Sequence, residues 1–467
     1  MVEIRHRQRS FGDGLIHETV EQLWEDWMRH ADFILADEEL LETVYHALQR
    51  RHQRSRTHGR PGTPAEVVLR MLLLKHIRNW SFVVLEREVR GNLLYREFTR
   101  VGAEKVPDAK TMGRLAQALP PEVIERLHAR IVSLAQERGV VTGRRLRVDT
   151  TVVETNMHYP TDSSLLGDGV RVLTRLMKRV KQVAGQAGTT FRDRTRSVQR
   201  RLIEIGRATR SKGTGAMEKI KTAYRKLVEA TGRVVGQAKK FSAEIAQGVK
   251  RAPEVVAQAK LEGLRRQLEA VLPRVKQVIQ QTKARIFDGN TRTEGKLVSI
   301  FEPEAEIIRK GKTSKPTEFG KMVKVQEAEN QIVIGFEVYE QRPQDKDLLV
   351  PSVQLHQQRL GRVPEMVAGD AAFYSAQGEA QLEQMGVKRV SIPNRSTKSG
   401  ERRRHQKQRW FRKGQKWRTG CEGRISILKR RHGLGRCRYK GTTGMKRWVG
   451  LGVIGDNLIN IGRALAS

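Results

Sequence analysis

A strand-like segment near residue 146 is separated from every other strand-like segment of the chain by a long helical stretch. In "RRLRVDTTVVET" the apolar Leu146 and Val148 alternate with polar residues and β-branched residues follow, which predicts a strand ending near Asp149. Residues 165–285 have helical periodicity instead, and strand-like segments return only after them. The sequence therefore predicts a mixed α/β core whose first strand is followed by a helical insertion.

The helical stretch contains one long seam of mostly apolar residues. They recur at alternating steps of three and four: Met217, Ile220, Tyr224, Leu227, Thr231, Val234, Ala238, Phe241 and Ile245. Because this spacing is typical of coiled coils, we interpret residues 165–285 as an antiparallel coiled hairpin. A structural or dimerising arm is favoured over a catalytic role, and the basic outer face could contact DNA phosphates.

The first 140 residues are predicted to form short helices joined by tight turns. The clearest start is "GTPAEVVLRMLLLKHIRNW", in which Thr63 can cap the helix, Pro64 suits its first turn and Glu66 completes a capping box. Short helices with Lys and Arg on their outer faces suit a helix-turn-helix-like DNA-binding domain. A helical bundle used for dimerisation explains the same periodicity equally well.

The chain after residue 285 alternates strands and helices. Strands are predicted at 296–303, 319–328, 331–340, in "PEMVAGDAAFYS", which stops at Asp370, and at 388–394. Helices are predicted in "LLVPSVQLHQQRLG", at 376–385 and in the closing "MKRWVGLGVIGDNLINIGRAL". The predicted domains are a helical N-terminal DNA-binding domain (1–140), the first part of the α/β core (141–164), the insertion (165–285) and the rest of the core with a basic C-terminal region (286–467).

The charge balance indicates a polyanionic partner, with nucleic acid as the first candidate. Lys and Arg number 89 against 51 Asp and Glu, which leaves a net charge of +38, far more than solubility requires. No segment approaches the ~20 apolar residues of a membrane-spanning helix, and the first residues lack a secretory pattern, so we expect a soluble cytoplasmic protein. Cys421 and Cys437 match no zinc-binding spacing and are expected to be reduced thiols.

Three acidic residues from separate parts of the chain are candidates for a metal site. A pair of divalent ions about 4 Å apart neutralises the charge that develops during phosphodiester cleavage, and Mg²⁺ needs only a few carboxylates for this. Asp149 and Asp370 are predicted at the carboxyl ends of strands, where such groups converge. Glu422 lies in "RTGCEGRISILKRRHG", which can be helical. Spacing leaves other acids open, namely Glu154, Asp162, Asp168 and Asp456, while His158 is interpreted as a loop hydrogen-bonding residue.

Glu422 stands in a strongly basic region. Between residues 395 and 447, twenty Lys and Arg residues accompany only two acids, Glu401 and Glu422. On a helix, Arg418 would lie one turn before Glu422 and Lys429 two turns after it, on the same side. We therefore predict that the acid holds metal while its neighbours bind DNA phosphates. The predicted phosphate-binding residues are Arg418, Arg424, Lys429, Arg430 and Arg431.

Three segments together resemble the signature regions of DDE transposases from bacterial insertion sequences, with the ISNCY-type group as the nearest match: "RVDTTVVETNMHYPTDSSLL", "VAGDAAFYS" and "RTGCEGRISILKRRHG". The segment "PAEVVLRMLLLKHIRNWSFVVLEREV" resembles their helical N-terminal domain. The resemblance implies an RNase H-like core in which Asp149 ends the first strand, Asp370 ends the fourth and Glu422 lies on a helix. It also implies that these three acids are catalytic and hold two Mg²⁺ ions, with Mn²⁺ as an alternative.

The resemblance is incomplete at two positions. Related transposases have a Tyr-two-Arg-three-Glu-six-Lys signature, and here Arg418, Glu422 and Lys429 fit while Gln415 occupies the tyrosine position. Ala372 likewise stands where a glycine usually follows the second acid. The departures leave the metal prediction intact, and they leave open how the flanking DNA strand is handled.

The resemblance implies a reaction in two stages. Water attacks the phosphodiester at each transposon end and frees a 3′-hydroxyl, which the same site directs at target DNA. The N-terminal helices would bind the terminal inverted repeats, and pairing two ends requires at least a homodimer. Two alternatives remain: a structure-selective nuclease with the same core and acids, and a DNA-binding protein without catalytic activity.

Overall fold

The chain forms two compact units in a computed structural model. The structure describes residues 1–6, 20, 22–51, 62–184, 191–211, 215–252, 254–292, 294–309 and 317–466. One unit comprises Met1–Asn156 and Ile308–Ser467, and the other comprises Met157–Ile307. The second unit contains the whole stretch for which the sequence predicts a helical insertion.

The described N-terminal residues are helical, as predicted. The helices are α1 (Asp26–Leu35), α2 (Glu38–Gln49), α3 (Ala65–Ile77), α4 (Phe82–Gly91), α5 (Leu93–Phe98), α6 (Ala109–Gln117) and α7 (Pro121–Glu137). The capping box predicted for α3 is wrong, because Pro64 is the N-cap and makes no side-chain cap. The backbone carbonyls of Glu3 and Ile4 instead accept hydrogen bonds from the N–H groups of Ala65 and Glu66. The N-terminal segment therefore caps this helix.

Four helices make up the described helical part of the second unit. They are α8 (Asp162–Ala184), α9 (Thr195–Arg210), α10 (Ala216–Ala246) and α11 (Val255–Ile286), and α10 packs against each of the other three. The predicted seam is buried from Tyr224 to Ile245, whereas Met217 is exposed. The prediction of a two-helix hairpin is therefore wrong, because the described residues of the second unit form four helices. A seam identifies one apolar stripe but not how many helices cover it.

The strand predicted at 296–303 is absent from these described residues. Leu297, Val298 and Ile300 are buried. The Gln281 side chain accepts a hydrogen bond from the Leu297 N–H at 3.1 Å and donates one to its carbonyl at 3.0 Å. One side-chain amide thus satisfies the backbone groups that a neighbouring strand would otherwise bind.

The first unit contains a mixed sheet. Its strands are β1 (Arg145–Glu154), β2 (Glu306–Arg309), β3 (Thr317–Glu327), β4 (Val333–Val338), β5 (Met366–Ala368) and β6 (Arg389–Ser391). They are arranged in the order β2-β3-β1-β5-β6, with β4 paired to β3. β1 is antiparallel to β3 and parallel to β5, and β3 and β4 form the predicted antiparallel hairpin. Asn330 in this turn has a φ of 50°, a backbone conformation that asparagine tolerates well.

Helices cover both faces of this sheet. The later helices are α12 (Leu349–Leu360), α13 (Ala376–Gln384), α14 (Gly400–Lys407), α15 (Arg409–Arg431) and α16 (Gly441–Ala466). On one face, the Gln326 side chain donates to the Ser352 carbonyl of α12. The next residue, Glu327, points to the opposite face and binds Arg147, which contacts α15.

The N-terminal helices share an apolar core with the sheet. Helices α1, α3 and α7 pack against α16. A Cβ atom at Gly462 would lie only 2.6 Å from the Cα atom of Trp27, so glycine permits the close approach of α1 and α16. The predicted division near residue 140 and the RNase H-like assignment stay predictions. None of the described helices is long and apolar enough to cross a membrane.

Candidate active site at the carboxyl edge of the sheet

Asp149 lies on β1, and Asp370 follows the end of the neighbouring parallel strand β5. β1 and β5 pair with Arg147 opposite Ala368. Each acid comes two residues after its member of this pair, so the two acids stand at the same level. Asp370 is the N-cap of the short turn Ala371–Phe373, and its Oδ1 accepts a hydrogen bond from the Ala372 N–H at 2.9 Å. Strand pairing thus brings together two acids that are distant in the sequence.

β1 does not end at Asp149, so that part of the prediction is wrong. The strand continues to Glu154, which lies opposite Gly320 of β3. Only the parallel ladder with β5 ends earlier, at Arg147. Asp149 therefore lies two residues beyond the last pair that β1 forms with β5. At the same position β1 is still paired with β3.

The Asp149 side chain is on the face of the sheet covered by α15. Side chains two residues apart on a strand share a face, and Arg147 points toward α15, where its Nη1 donates to the Trp417 carbonyl at 2.6 Å. Burial most strongly raises the pKa of the Cys421 thiol in α15, followed by the negative charges of Glu327 and Asp149. Asp149 is half-buried, and its Oδ1 accepts a hydrogen bond from the Thr150 N–H at 2.7 Å.

Helix α15 crosses the sheet at the same edge. The Gln415 amide donates to the carbonyl of Gly369, immediately before Asp370, at 3.3 Å and to that of Ser391 at 2.5 Å. A tyrosine hydroxyl carries only one donor hydrogen and could not bind both carbonyls, which explains how glutamine serves at this position. A Cβ atom at Gly420 would lie 2.1 Å from Nη1 of Arg147, so glycine leaves room for this guanidinium beneath the helix.

Glu422 lies seven residues after Gln415 and therefore on the same side of α15. Its carboxylate is 59% exposed and lies 2.9 Å from the guanidinium of Arg418, which is only 14% exposed. The third acid is thus on the side of the helix that faces the Asp370 edge. Its side chain is paired with a cation rather than directed at the other two acids.

The three acids provide the ligand type that a hard divalent ion prefers. Within the described part of the chain, no three His, Cys, Asp or Glu side chains converge as a metal-binding group. Asp149 and Asp370 each come two residues after the last pair of β1 and β5, and the exposed Glu422 side chain can change rotamer rapidly. Carboxylate oxygens are the ligand type that Mg²⁺ prefers, but the Glu422 carboxylate is paired with Arg418 and does not converge with the two aspartates.

The predicted phosphate-binding residues divide into two groups. Arg430 and Arg431 are exposed at the end of α15, and Lys429 is partly exposed beside them. The prediction for Arg424 is wrong, because this side chain is 2% exposed and donates to Asp456 at 2.6 Å. A buried guanidinium paired in this way cannot reach a phosphate.

The other acidic residues that the sequence left as candidates each lie close to a basic side chain. Asp456 is buried between Arg424 and His432. Glu154 lies 3.6 Å from Arg436, and Asp162 lies 3.1 Å from Arg285. Asp168 lies between Arg171 and His158, whose Nε2 is 3.5 Å from the carboxylate, in agreement with a hydrogen-bonding role for His158.

Sequence reasoning missed two residues that position this site. Arg147 and Glu327 form a buried ion pair between β1 and β3, and Arg147 also stacks on Trp417 with 4.8 Å from its guanidinium carbon to the ring centroid. Arg147 stands two residues before Asp149, so the alternation of β1 already placed it on the same face. Its partner could not be identified without the pairing of β1 with β3.

A cavity lies beside Gln415 of α15. Its volume is about 320 Å³, and Gln415, Arg395 and Arg412 are among its lining residues. Gln415 also contacts the residue before Asp370, so the cavity adjoins the candidate site. Its guanidinium groups suit a phosphate.

Neither cysteine is expected to react with a thiol reagent in the folded protein. Cys421 and Cys437 are both buried, and burial, with nearby carboxylates, raises the pKa of Cys421 well above its usual value. A chromogenic disulfide reagent at pH 8 should detect no rapidly reacting thiol before unfolding and two after it. A thiol that reacts at the rate of free cysteine in the folded chain would contradict this burial.

Comparisons with known proteins match two parts of the chain. A family model described as Transposase domain (DUF772) matches residues 23–118, which contain α1 to α6. A second family model, Transposase DDE domain, matches residues 381–461, which contain Glu422. No curated protein and no solved structure matches. The two matched domains, one near each end of the polypeptide, support a DDE transposase of an insertion sequence family.

Proposed function

We propose that this transposase binds the terminal inverted repeats of its element, cleaves DNA there and joins the freed 3′-hydroxyl ends to target DNA. The observation that supports this most directly is that Asp149 and Asp370 each come two residues after the Arg147–Ala368 pair of β1 and β5, at the edge crossed by the helix that carries Glu422. The proposed core is RNase H-like, of the ISNCY-type group.

We propose that Asp149, Asp370 and Glu422 hold two Mg²⁺ ions, with Mn²⁺ as an alternative. Bound divalent ions would activate water and neutralise charge on the attacking and leaving oxygens. Arg147 and Gln415 hold α15 against the strands and so set the distance of Glu422 from the two aspartates. Arg418 can bind either the Glu422 carboxylate or a DNA phosphate.

Cations around the acids would hold the DNA. Lys429, Arg430 and Arg431 at the end of α15 are proposed to bind the backbone, since phosphate contacts supply most of the affinity of such proteins for DNA. The cavity with Arg395 and Arg412 is suited to a phosphate near the cleaved bond. Lys and Arg therefore position DNA while the acids act on it.

The remaining parts of the proposal concern assembly. The N-terminal helices would bind the terminal repeats, and at least a homodimer would pair two transposon ends. Such a protein would act on chromosomal and element DNA in the bacterial cytoplasm, in association with the nucleoid.

A strand-transfer assay tests this function. The purified chain is incubated with Mg²⁺, the inverted repeats that bracket its gene as labelled duplexes, and a circular target plasmid. We expect cleavage at the repeat end and covalent joining of the label to the plasmid. Cleavage without joining would favour a structure-selective nuclease, and binding without cleavage would favour an inactive DNA-binding protein.

A further inference from the structure

The exposed face of α10 is strongly basic. It is formed by Arg225, Lys226, Glu229, Gly232, Arg233, Gly236, Lys239, Lys240 and Ala243, which are all exposed and which we call the α10 face. Five of these residues are cations, and Glu229 is the single acid. The residues lie within one helix, so this face can be described from the second unit alone.

Cations along both edges of the α10 face are placed against other cations. On one edge, contact with Lys239 lowers the pKa of Lys276 in α11. On the other edge, burial and then the positive charges of Arg233 and Arg192 lower the pKa of Arg194. Among the described residues, none of the five cations of the α10 face forms a salt bridge. Like charges held close together raise the free energy of the unit, and a bound polyanion would lower this cost.

Some other cations of the second unit are paired with acids. Lys178 lies 2.6 Å from Asp193, and Arg265 lies 2.6 Å from Glu269. The α10 face differs from these positions, because its five cations share only one acid, Glu229.

Glycine occupies the centre of the α10 face. Gly232 and Gly236 are one turn apart, and a Cβ atom at either position would meet no atom within 4 Å. Glycine weakens a helix relative to alanine, and here no packing within the fold requires it. A cavity of about 610 Å³ opens beside Gly232 and is lined by Arg225, Lys283 and Phe287 among others. The centre of the α10 face therefore has no side chains at these two positions, whereas its edges carry cations.

We propose that the α10 face binds double-stranded DNA outside the catalytic site, with α10 in the major groove and its two cation edges against the phosphates on either side. A helix is about 10–12 Å across and the major groove of B-DNA is about 12 Å wide, so the dimensions agree. Gly232 and Gly236 allow the helix backbone to approach the groove floor. This inference rests on the proposed function, because DNA is the assumed substrate.

The first test removes charge from the α10 face in the full-length chain. Arg233→Gln/Lys239→Gln should weaken binding to a 40-base-pair duplex of random sequence by roughly tenfold at 0.1 M salt and lower the salt slope by about 2. The matched control is Arg175→Gln/Arg179→Gln, which removes two exposed cations from α8. We expect the control to change the affinity by less than about threefold, since Arg175 and Arg179 lie outside the α10 face and would act only through the net field.

Each outcome separates this inference from the proposed function. Wild-type chain that fails to bind DNA would overturn both. Wild-type binding with an unchanged α10 variant, or an equal loss in both variants, would overturn only the α10 assignment. Stronger binding of an RNA duplex than of DNA by the wild-type chain, lost in the α10 variant, would replace the proposed partner by RNA.

Filling the glycine positions provides a second test. Gly232→Ala/Gly236→Ala should raise the melting temperature, because alanine favours helix, and should lower DNA affinity by about threefold or more through loss of close approach. A glycine pair with a purely structural role would not combine higher stability with weaker binding. Unchanged affinity together with a higher melting temperature would overturn the groove-bound orientation.

Discussion

Replacing Glu422 by glutamine is expected to abolish cleavage while leaving DNA binding nearly intact. Glutamine has the same size but lacks the charge that a divalent ion requires, so the cleavage rate should fall by about 10³-fold or more, or roughly 4 kcal/mol of transition-state stabilisation. DNA affinity depends on the cations around Glu422, and loss of an acid does not weaken it. The measurements are cleavage of a labelled repeat-end duplex in Mg²⁺ and fluorescence anisotropy in EDTA.

Glu401→Gln is the matched control for this change. Glu401 is the other acid of the basic region, and it is exposed on α14. Because its substitution changes the net charge equally, it should preserve both cleavage and binding. Cleavage by Glu422→Gln at the wild-type rate would remove Glu422 from the site, and equal loss in both variants would indicate an effect of charge alone.

Arg147→Met is expected to destabilise the first unit by about 3–5 kcal/mol. The substitution leaves the Glu327 carboxylate, 0% exposed, without its guanidinium partner. It also removes the hydrogen bond to the Trp417 carbonyl and the stacking on that ring, which hold α15 on the sheet. Cleavage should fall as well, because the helix that carries Glu422 loses its main polar contact with β1.

The destabilisation should depend on pH. Burial raises the pKa of Glu327 in the folded chain, and loss of Arg147 raises it further because Arg147 lowers it. The folded variant then binds more protons than the unfolded chain, so its stability falls as pH rises above the usual carboxyl value. Urea unfolding at pH 5 should therefore show a smaller difference from wild type than unfolding at pH 8.

Two further variants complete this test. Arg147→Met/Glu327→Met removes both charges and should recover much of the lost stability, because no buried ion stays unpaired. Arg145→Met removes an exposed arginine from the same strand and should change stability by less than about 0.5 kcal/mol. Destabilisation by Arg145→Met as large as that by Arg147→Met would contradict the importance of the buried pair.

Local patterns were sufficient for most elements of the first unit. The hairpin of β3 and β4, the strand before Asp370 and the helix around Glu422 follow from alternation and helical spacing, which depend only on neighbouring residues. The prediction of a strand at 296–303 was wrong, because the Gln281 side chain binds the backbone of this segment in place of a neighbouring strand. A pattern of apolar residues predicts burial but does not identify the group that satisfies the backbone.

Only part of the candidate site could be predicted from the sequence. Its acids were proposed from the ends of strand-like segments and from the isolation of Glu422 among cations. Arg424 and Arg430 are similar in sequence context, yet one is buried with Asp456 and the other is exposed. The difference depends on which side of α15 packs against the rest of the fold. The number of charges in the sequence does not predict which side this is.

The sequence by itself determined the net charge, the order of most strands and helices of the first unit and the positions of the three acids along the chain. Only the tertiary structure decided that Asp149 and Asp370 stand at one level, that Arg147 and Glu327 hold α15 over them, and that Glu422 pairs with Arg418. The physical reason is that strand register, ion pairing and burial each depend on a second element, distant in the chain, whereas helical and strand periodicity depend on the first element alone.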